Sequence, residues 1–414
     1  MNDTRTALVI GGGIAGPVAA MALQKAGIRA AVYEAHPGSA DGVGGGLGLA
    51  PNGINALAVI GADHLVERIG DPMRAMAIES WTGKHLAEFP SPPGLPVMQF
   101  VWRPELYRAL HDEAAARGIP TEYGKRLRSV SESAHEVTAH FEDGTSAAAD
   151  VLVAADGIRS TARTLIDPHA PDPRYCGLLS FGARLTGIPL PPTGGTMHMV
   201  FGKRAFLGYQ VEDDGRGGWF VNLPHRDPAT LAEVRRTPPE QWLRILRDAV
   251  AGDRAPGLAL LDATDPAHLL VIGPMEDLPT VPVWHRGRTV LVGDAAHATS
   301  PSSGQGASLA AESAVQLARA LRDLPHDRAF AAYEQLRRAR VEKITAAAAR
   351  TNQSKAAGPV ARVLRDLLLP TAMKMLAKPE KMAWQYGYRI DWDAPVTDAG
   401  GSAPAPSGAE TATA

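Results

Sequence analysis

Three glycine-bearing loops hold the residue types that could do chemistry in this chain. The first, Gly11-Gly12-Gly13-Ile14-Ala15-Gly16, fits G-x-G-x-x-G. In that pattern the first glycine permits a tight turn. The second lets a pyrophosphate approach the backbone, and the third lets helix and strand pack closely. The N–H groups and positive dipole end of the following helix then face the phosphates. Glu34 ends the next apolar run, about 20 residues on, where a carboxylate binds ribose hydroxyls. The alternative is a plain Gly-rich turn beside a surface glutamate. The strand before the loop and the helix after it favour the dinucleotide reading, although the loop alone does not choose between dinucleotides.

The second loop is Asp156-Gly157-Ile158-Arg159-Ser160, with Arg163 just beyond. The third is Gly293-Asp294-Ala295-Ala296-His297, continuing through Pro301 to Gly304-Gln305-Gly306-Ala307. Both follow apolar runs, and open α/β sheets place ligands at strand ends. Asp294 has no cation near it in sequence, so it is free to accept hydrogen bonds from ribitol or ribose hydroxyls. Gly304 and Gly306 clear side chains from the start of an Ala-rich helix, where backbone N–H groups can meet electron-rich oxygen. His297 is a tempting base, but its alanine neighbours favour a structural hydrogen-bonding role. Cys176 is the only cysteine, which excludes an internal disulfide and a cysteine metal cluster. It is read as a buried or incidental thiol.

These loops need a scaffold. Thr6 to Ile10 reads as a buried strand, Ile14 to Ala26 as a helix stopped by Gly27, and Ala30 to Tyr33 as a second strand, a β-α-β unit. Pro51 to Ile60 and Arg103 to Arg117 read as helices. Leu127 to Ser131 and His135 to Phe141 read as antiparallel strands, and Val151 to Ala154 and Thr289 to Val292 as buried strands. Between about 175 and 272, short alternating runs (Gly182–Thr186, Met197–Phe201, Ala205–Val211, Gly218–Leu223) predict an inserted antiparallel sheet. Helical patterns cover about 306–321, 327–350 and 357–378. In the last of these, Val360, Val363, Leu364, Leu367 and Leu368 share helical spacing, and a domain-bridging role is preferred to a membrane anchor. Residues 397–414 read as a disordered tail of small residues.

Composition narrows the classes. The 414 residues are 45% hydrophobic and 21% charged, with a formal net charge of −2. Such a chain can bury a large core and gives no electrostatic case for a nucleic-acid partner. Ala7 to Leu23 is apolar, but its glycines and Pro17 suit a strand, turn and helix better than a signal peptide. No other run reaches the roughly 18 apolar residues of a membrane span. A cytoplasmic protein with no membrane partner is expected.

The order of G-x-G-x-x-G, then D-G-x-R-S, then G-D-A-A-H with a downstream proline and G-Q-G resembles the class A flavoprotein monooxygenases. These are relatives of para-hydroxybenzoate hydroxylase, salicylate hydroxylase and the tetracycline-inactivating flavoenzymes. The resemblance spans about residues 5–350. Gly44-Gly45-Gly46 to Pro51-Asn52-Gly53, Arg103 opening a helix, the run Trp219 to Pro224 and Trp284 ahead of Gly293 agree with it.

The resemblance implies an α/β fold: a Rossmann-like FAD-binding domain (GR2-type), an interleaved antiparallel β-sheet substrate domain and C-terminal helices. The FAD-binding domain would be discontinuous, at 1–72, 97–172 and 283–350. The substrate domain would take 73–96 and 173–282, and the C-terminal helical region 351–390. The resemblance also implies roles. Gly11, Gly13, Ala15 and Gly16 would hold the ADP end of a tightly bound, non-covalent FAD, and Glu34 the adenosine ribose. Arg103 would lie near the pyrophosphate, Asp294 would bind ribitol, and Gly46, Leu127 and Pro301 would line the cofactor. Asp156 and Gly157 would serve both FAD and a transient NADPH or NADH, and Gly304, Gln305, Gly306 and Ala307 would surround the flavin ring. Reduced flavin and O₂ would give a C4a-(hydro)peroxyflavin that hydroxylates or epoxidises a small molecule, with no obligatory catalytic side chain. A monomer or homodimer is expected.

Three positions depart from the family pattern. Ala35 and His36 follow Glu34 where a basic residue is frequent, Ser313 follows Glu312 where an acidic residue is common, and Phe181 stands where Trp is frequent. A flavin halogenase would carry W-x-W-x-I-P, which Trp219-Phe220-Val221-Asn222-Leu223-Pro224 lacks. A flavin reductase or dehydrogenase, and a non-catalytic flavin-binding protein, are the competing readings. Substrate would sit between flavin and sheet, near Phe181, Met199, Phe206, Tyr209, Gln210, Trp219 and Asn222, some of which could equally be core. This set predicts a mostly apolar, aromatic or polycyclic substrate.

Overall fold

In a computed structural model the described residues are 4–38, 44–355, 362, 366–368 and 379–397. Apolar runs buried on both faces form the centre of the first sheet, as parallel strands require. Its order is His285–Arg286, Thr289–Leu291, Val151–Ala154, Thr6–Ile10, Arg29–Glu34 and Thr121–Tyr123. All neighbours are parallel except the antiparallel pair of His285–Arg286 with Thr289–Leu291. The Ala15–Lys25 helix packs against the Gly306–Asp323 helix. Both are rich in alanine, so their backbones approach closely, and they share one core with this sheet.

The second sheet has seven strands, in the order Leu270–Asp277, Arg174–Leu185, Gly217–Pro224, Phe206–Val211, Thr196–Phe201, Ala75–Ser80 and His85–Pro90. It is not wholly antiparallel: Thr196–Phe201 runs parallel to Ala75–Ser80, a segment from a distant part of the chain. The region between 231 and 262 is helical rather than strand, with helices Leu231–Arg236, Pro239–Val250 and Gly257–Asp262. Trp242, Leu243, Leu246 and Val250 line one buried face of the second of these, at helical spacing. These helices cover one face of the sheet in a second core that contains Leu179, Phe181, Leu207, Tyr209, Trp219 and Val221.

The helix His326–Lys355 continues five residues past the predicted end of the second helical region. The predicted helix over 357–378 and the tail over 397–414 lie almost wholly outside the described residues. The described C-terminal segment returns to the first domain. Arg319 donates to the Ala394 carbonyl from Nε at 3.0 Å and from Nη2 at 2.9 Å, and Gln316 donates to the Tyr388 hydroxyl at 2.7 Å.

Candidate active site

The three loops leave the first sheet from one row. Ile10, Ala154 and Leu291 are register partners at adjacent strand ends, with Tyr33 beside Ile10. Hydrogen bonds carry that row into the loops: Gly11 N donates to Tyr33 O at 2.8 Å, Ala155 N to Ile10 O at 2.7 Å, and Val292 N to Ala154 O at 2.9 Å. This row is the carboxyl edge of the parallel sheet, where such folds bind ligands.

In the first loop, Gly11 has φ +103°, and a Cβ at Gly16 would run into the Gly11 carbonyl. Both positions require glycine for the protein's own packing. Gly13 differs, because a Cβ there would meet nothing within 4 Å. That is the space a phosphate would use. The Ala15–Lys25 helix has no capping side chain, so its first N–H groups remain open to an anion. Glu34 accepts from Gly12 N at 2.6 Å and from His36 N at 2.8 Å, which fixes its carboxylate at the mouth of the loop.

In the second loop, Asp156 first holds its own backbone. Its Oδ2 accepts from Ala162 N at 3.0 Å and its Oδ1 accepts from the Ser160 hydroxyl. Burial raises its pKa, opposed by those two hydrogen bonds and by Arg163. Gly157 has φ +81° and open space where a side chain would stand. Arg163 is buried and ties the second loop to the third, donating to Ile158 O at 2.7 Å and to Ala295 O at 3.1 Å.

In the third loop, Gly293 has φ +59°, and a Cβ there would come within 2.8 Å of the Ala15 Cβ. The loop therefore lies directly on the start of the first helix. Asp294 is half-buried, and its carboxylate makes no hydrogen bond among the described residues. Burial raises its pKa, opposed by the charge of Arg103. Arg103 is exposed, and its guanidinium also makes no hydrogen bond among the described residues. Pro301 and Gly304 are exposed ahead of the Gly306–Asp323 helix, whose N-terminus lacks a side-chain cap. An open phosphate path, an unpaired carboxylate, a free guanidinium and two uncapped helix starts are the donor set that FAD requires. Leu127 fits less directly: its side chain is in the core, leaving only its backbone to meet a cofactor.

Behind the third loop lies a buried polar network. Glu312 and Arg337 are fully enclosed partners, and Arg340 adds Nε and Nη2 bonds to Glu312 at 2.9 and 2.8 Å. Asn52 Nδ2 donates to Glu312 at 2.6 Å and to Gln305 Oε1 at 2.9 Å. Gln305 Nε2 and Asn52 Oδ1 have no partner among the described residues. His297 sits 2.8 Å from the Ser313 hydroxyl, and burial, followed by Arg337, pushes its pKa down to about 3. It is a neutral structural histidine. Burial pushes the half-buried Cys176 thiol up to about 11, which leaves it protonated.

Strand parity separates the substrate candidates. Phe181, Tyr209 and Trp219 pack into the core beneath the covering helices, although Trp219 also borders the cleft on the other side of the sheet. Phe181 lies 4.7 Å from the Trp242 ring, and Trp219 Nε1 donates to Thr264 Oγ1 at 3.0 Å. The side chains of these three predicted lining residues belong to the second core, because a one-residue change of parity turns a side chain to the other face. Met199, Phe206, Gln210 and Asn222 have the opposite parity. On that face Phe220 is the aromatic residue the sequence reading missed: it lines a cleft with Gly45, Gly46, Phe100, Met197 and Ile272.

A second cavity, of about 200 Å³, is lined by Pro51, Met73, Met76, Phe89, Met98 and Tyr386. It lies beside Ala50, whose N–H donates to Ser308 Oγ at 3.1 Å in the first turn after Gly306. Lys355 was also missed. Its ammonium donates to Asn222 Oδ1 at 2.8 Å and lies 4.1 Å from the Phe206 ring centre. The described residues hold no cluster suited to a metal ion and no helix long and apolar enough to cross a membrane.

Fold and site together define an FAD-binding flavoprotein, and comparison with known proteins agrees. The family described as "FAD binding domain" matches residues 4–180 and 279–348. The FAD-dependent urate hydroxylase of Klebsiella pneumoniae is 34% identical over 323 residues, covering 76% of this chain and 81% of that protein. The 6-hydroxynicotinate 3-monooxygenase of Pseudomonas fluorescens is 30% identical over 368 residues, covering 83% and 90%. The crystal structure of Klebsiella pneumoniae HpxO complexed with FAD and uric acid is similar, with a TM-score of 0.80 and 27% identity. That match covers 93% of this chain and 98% of the other. The chain belongs to the class A FAD-dependent aromatic monooxygenase superfamily.

Proposed function

We propose that the protein uses NADPH or NADH and O₂ to place one oxygen atom on a small, mostly apolar aromatic or polycyclic substrate, as a cytoplasmic monomer or homodimer. One observation carries this reading: three loops converge on one strand-end row and present an open phosphate path, the unpaired Asp294 and the uncapped Gly306 helix. When bound, FAD supplies the reduction of O₂ and the transfer of one of its atoms.

The chain's own residues do the rest. Gly13 and the Ala15 helix start would hold the pyrophosphate with Arg103 beside it, and Glu34 and Asp294 would take hydroxyls. Backbone N–H groups from Gly306 onward would stabilise negative charge on the ring during its reduction. His297, held neutral by burial, moves no proton. The methionine, proline and aromatic walls of the two cavities suit a flat apolar ring. The urate and 6-hydroxynicotinate acted on by the two relatives are small heteroaromatic rings, which supports the same substrate size.

The test is anaerobic mixing of the FAD-loaded protein with NADPH and with NADH, across a panel of aromatic ligands. Ligand-accelerated bleaching of the flavin supports the reading. Failure of both nucleotides to bleach it under every ligand would overturn it.

A further inference from the structure

We propose that Lys355, whose ring partner Phe206 lies 6.1 Å from the cleft-lining Phe220 ring, is a specificity residue for substrate, its ammonium pairing with a single ionised oxygen, carboxylate or phenolate, on an otherwise apolar aromatic ring. The inference rests on the monooxygenase reading above and adds to it the charge of the substrate.

The position of Lys355 is the first argument. It ends the long helix His326–Lys355, whose last turns approach the third cofactor loop. Ser300, next to Pro301, donates its hydroxyl to Asn352 Oδ1 at 2.9 Å. Three residues later, on the same side of the helix, Lys355 reaches the seven-stranded sheet. There it meets the face turned away from the covering helices, at Asn222 and Phe206. Asn222 is itself oriented: its Nδ2 donates to Ser180 Oγ at 3.2 Å, which turns Oδ1 to the lysine.

The second argument is what the ammonium lacks. Its partners are one neutral amide oxygen and the face of one ring, and no carboxylate pairs with it among the described residues. A part-buried cation with neutral partners alone is under-compensated. Burial accordingly pushes its pKa down to about 7. An anion brought by the substrate supplies the missing charge.

The third argument is that two arginines beside this face are not available to a second anionic group. Arg184 of the same sheet is already engaged with Glu105 at 2.5 Å, and Arg216, in the turn just before the Gly217–Pro224 strand, with Asp214 at 2.5 Å. A second anionic group would find no free cation from either.

The experiment uses FAD-loaded protein and three acid–amide pairs: benzoate and benzamide, salicylate and salicylamide, 6-hydroxynicotinate and 6-hydroxynicotinamide. Binding is followed through perturbation of the flavin absorbance at about pH 6, where Lys355 is charged. At least one acid is expected to bind roughly tenfold or more tightly than its amide. Lys355→Met is expected to erase that preference while leaving amide affinity within about twofold, and Lys355→Arg to retain the preference. Equal affinity for acid and amide, a preference that survives Lys355→Met, or no binding by any acid overturns the inference. Flavin content and nucleotide-driven bleaching of the same samples separate the two levels. Flavin that is bound and reducible without an acid preference removes Lys355 alone, whereas protein that takes up no flavin removes the reading beneath it.

Discussion

The Nδ2 of Asn52 donates to the Oε1 of Gln305 at 2.9 Å, joining two buried residues 253 positions apart. Asn52 belongs to the helix after the glycine strand Gly46–Leu49, and Gln305 stands inside the third cofactor loop. The same Nδ2 reaches Glu312 at 2.6 Å. One amide thus holds two walls of the proposed flavin site to each other and to the buried ion pair. Asn52→Ala strands the buried Gln305 Oε1, while Glu312 keeps its arginine donors. It is expected to cost about 1–3 kcal/mol in urea unfolding and to speed FAD release. Unchanged stability with unchanged flavin retention would refute this role.

Glu312 meets two guanidinium groups, Arg337 and Arg340, and is itself fully enclosed. Removing one side of a buried pair leaves an uncompensated charge, so Glu312→Ala should lose about 3–5 kcal/mol. Arg340→Met should lose less, because Arg337 still faces the carboxylate. Because Asn52 shares this network, the Asn52→Ala, Glu312→Ala double variant is expected to be less destabilised than the sum of the singles. Strict additivity in the unfolding midpoints would contradict a shared network.

Gly13 and Gly16 answer different demands, and alanine at each should separate them. At Gly16 a Cβ would strike the Gly11 carbonyl, so Gly16→Ala is expected to destabilise the apoprotein and abolish FAD uptake. At Gly13 the protein leaves open space. Gly13→Ala is therefore expected to melt like the parent without flavin and to bind FAD at least about tenfold more weakly. A Gly13→Ala protein with parental FAD affinity would show that the pyrophosphate passes elsewhere.

His297 makes stability depend on acid. Its folded pKa, about 3, lies below its ordinary 6.5. Between those values the unfolded chain binds a proton that the folded chain does not, so stability falls as pH drops, by about 1.4 kcal/mol per pH unit. His297→Gln removes that titration. From about pH 7 to about pH 5 the parent should lose about 2 kcal/mol more than the variant in urea unfolding. Parallel pH profiles would mean that His297 is protonated in the fold.

The loops were legible because their demands are local. Gly11, Gly16, Gly157 and Gly293 answer backbone conformations or close approaches that other residues cannot meet, and the strands before them are short buried runs. The face of each sheet strand was less legible. Trp219 and Phe220 differ by one position, and nothing within the strand says which face the helices cover. The signal that would have decided it was present, in the helical spacing of Trp242, Leu243, Leu246 and Val250 that the strand reading passed over. Lys355 gave no local signal at all. Its meeting with Asn222 joins residues 133 positions apart and exists only once the long helix is placed against the sheet.

Turnover under ¹⁸O₂ with a ligand that accelerates flavin bleaching tests the central claim most directly. The account expects the product to carry one heavy oxygen atom, with one nucleotide oxidised per product. A ligand reduced or oxidised without uptake of the label would make the protein a flavin reductase or dehydrogenase on this fold and would contradict oxygen transfer.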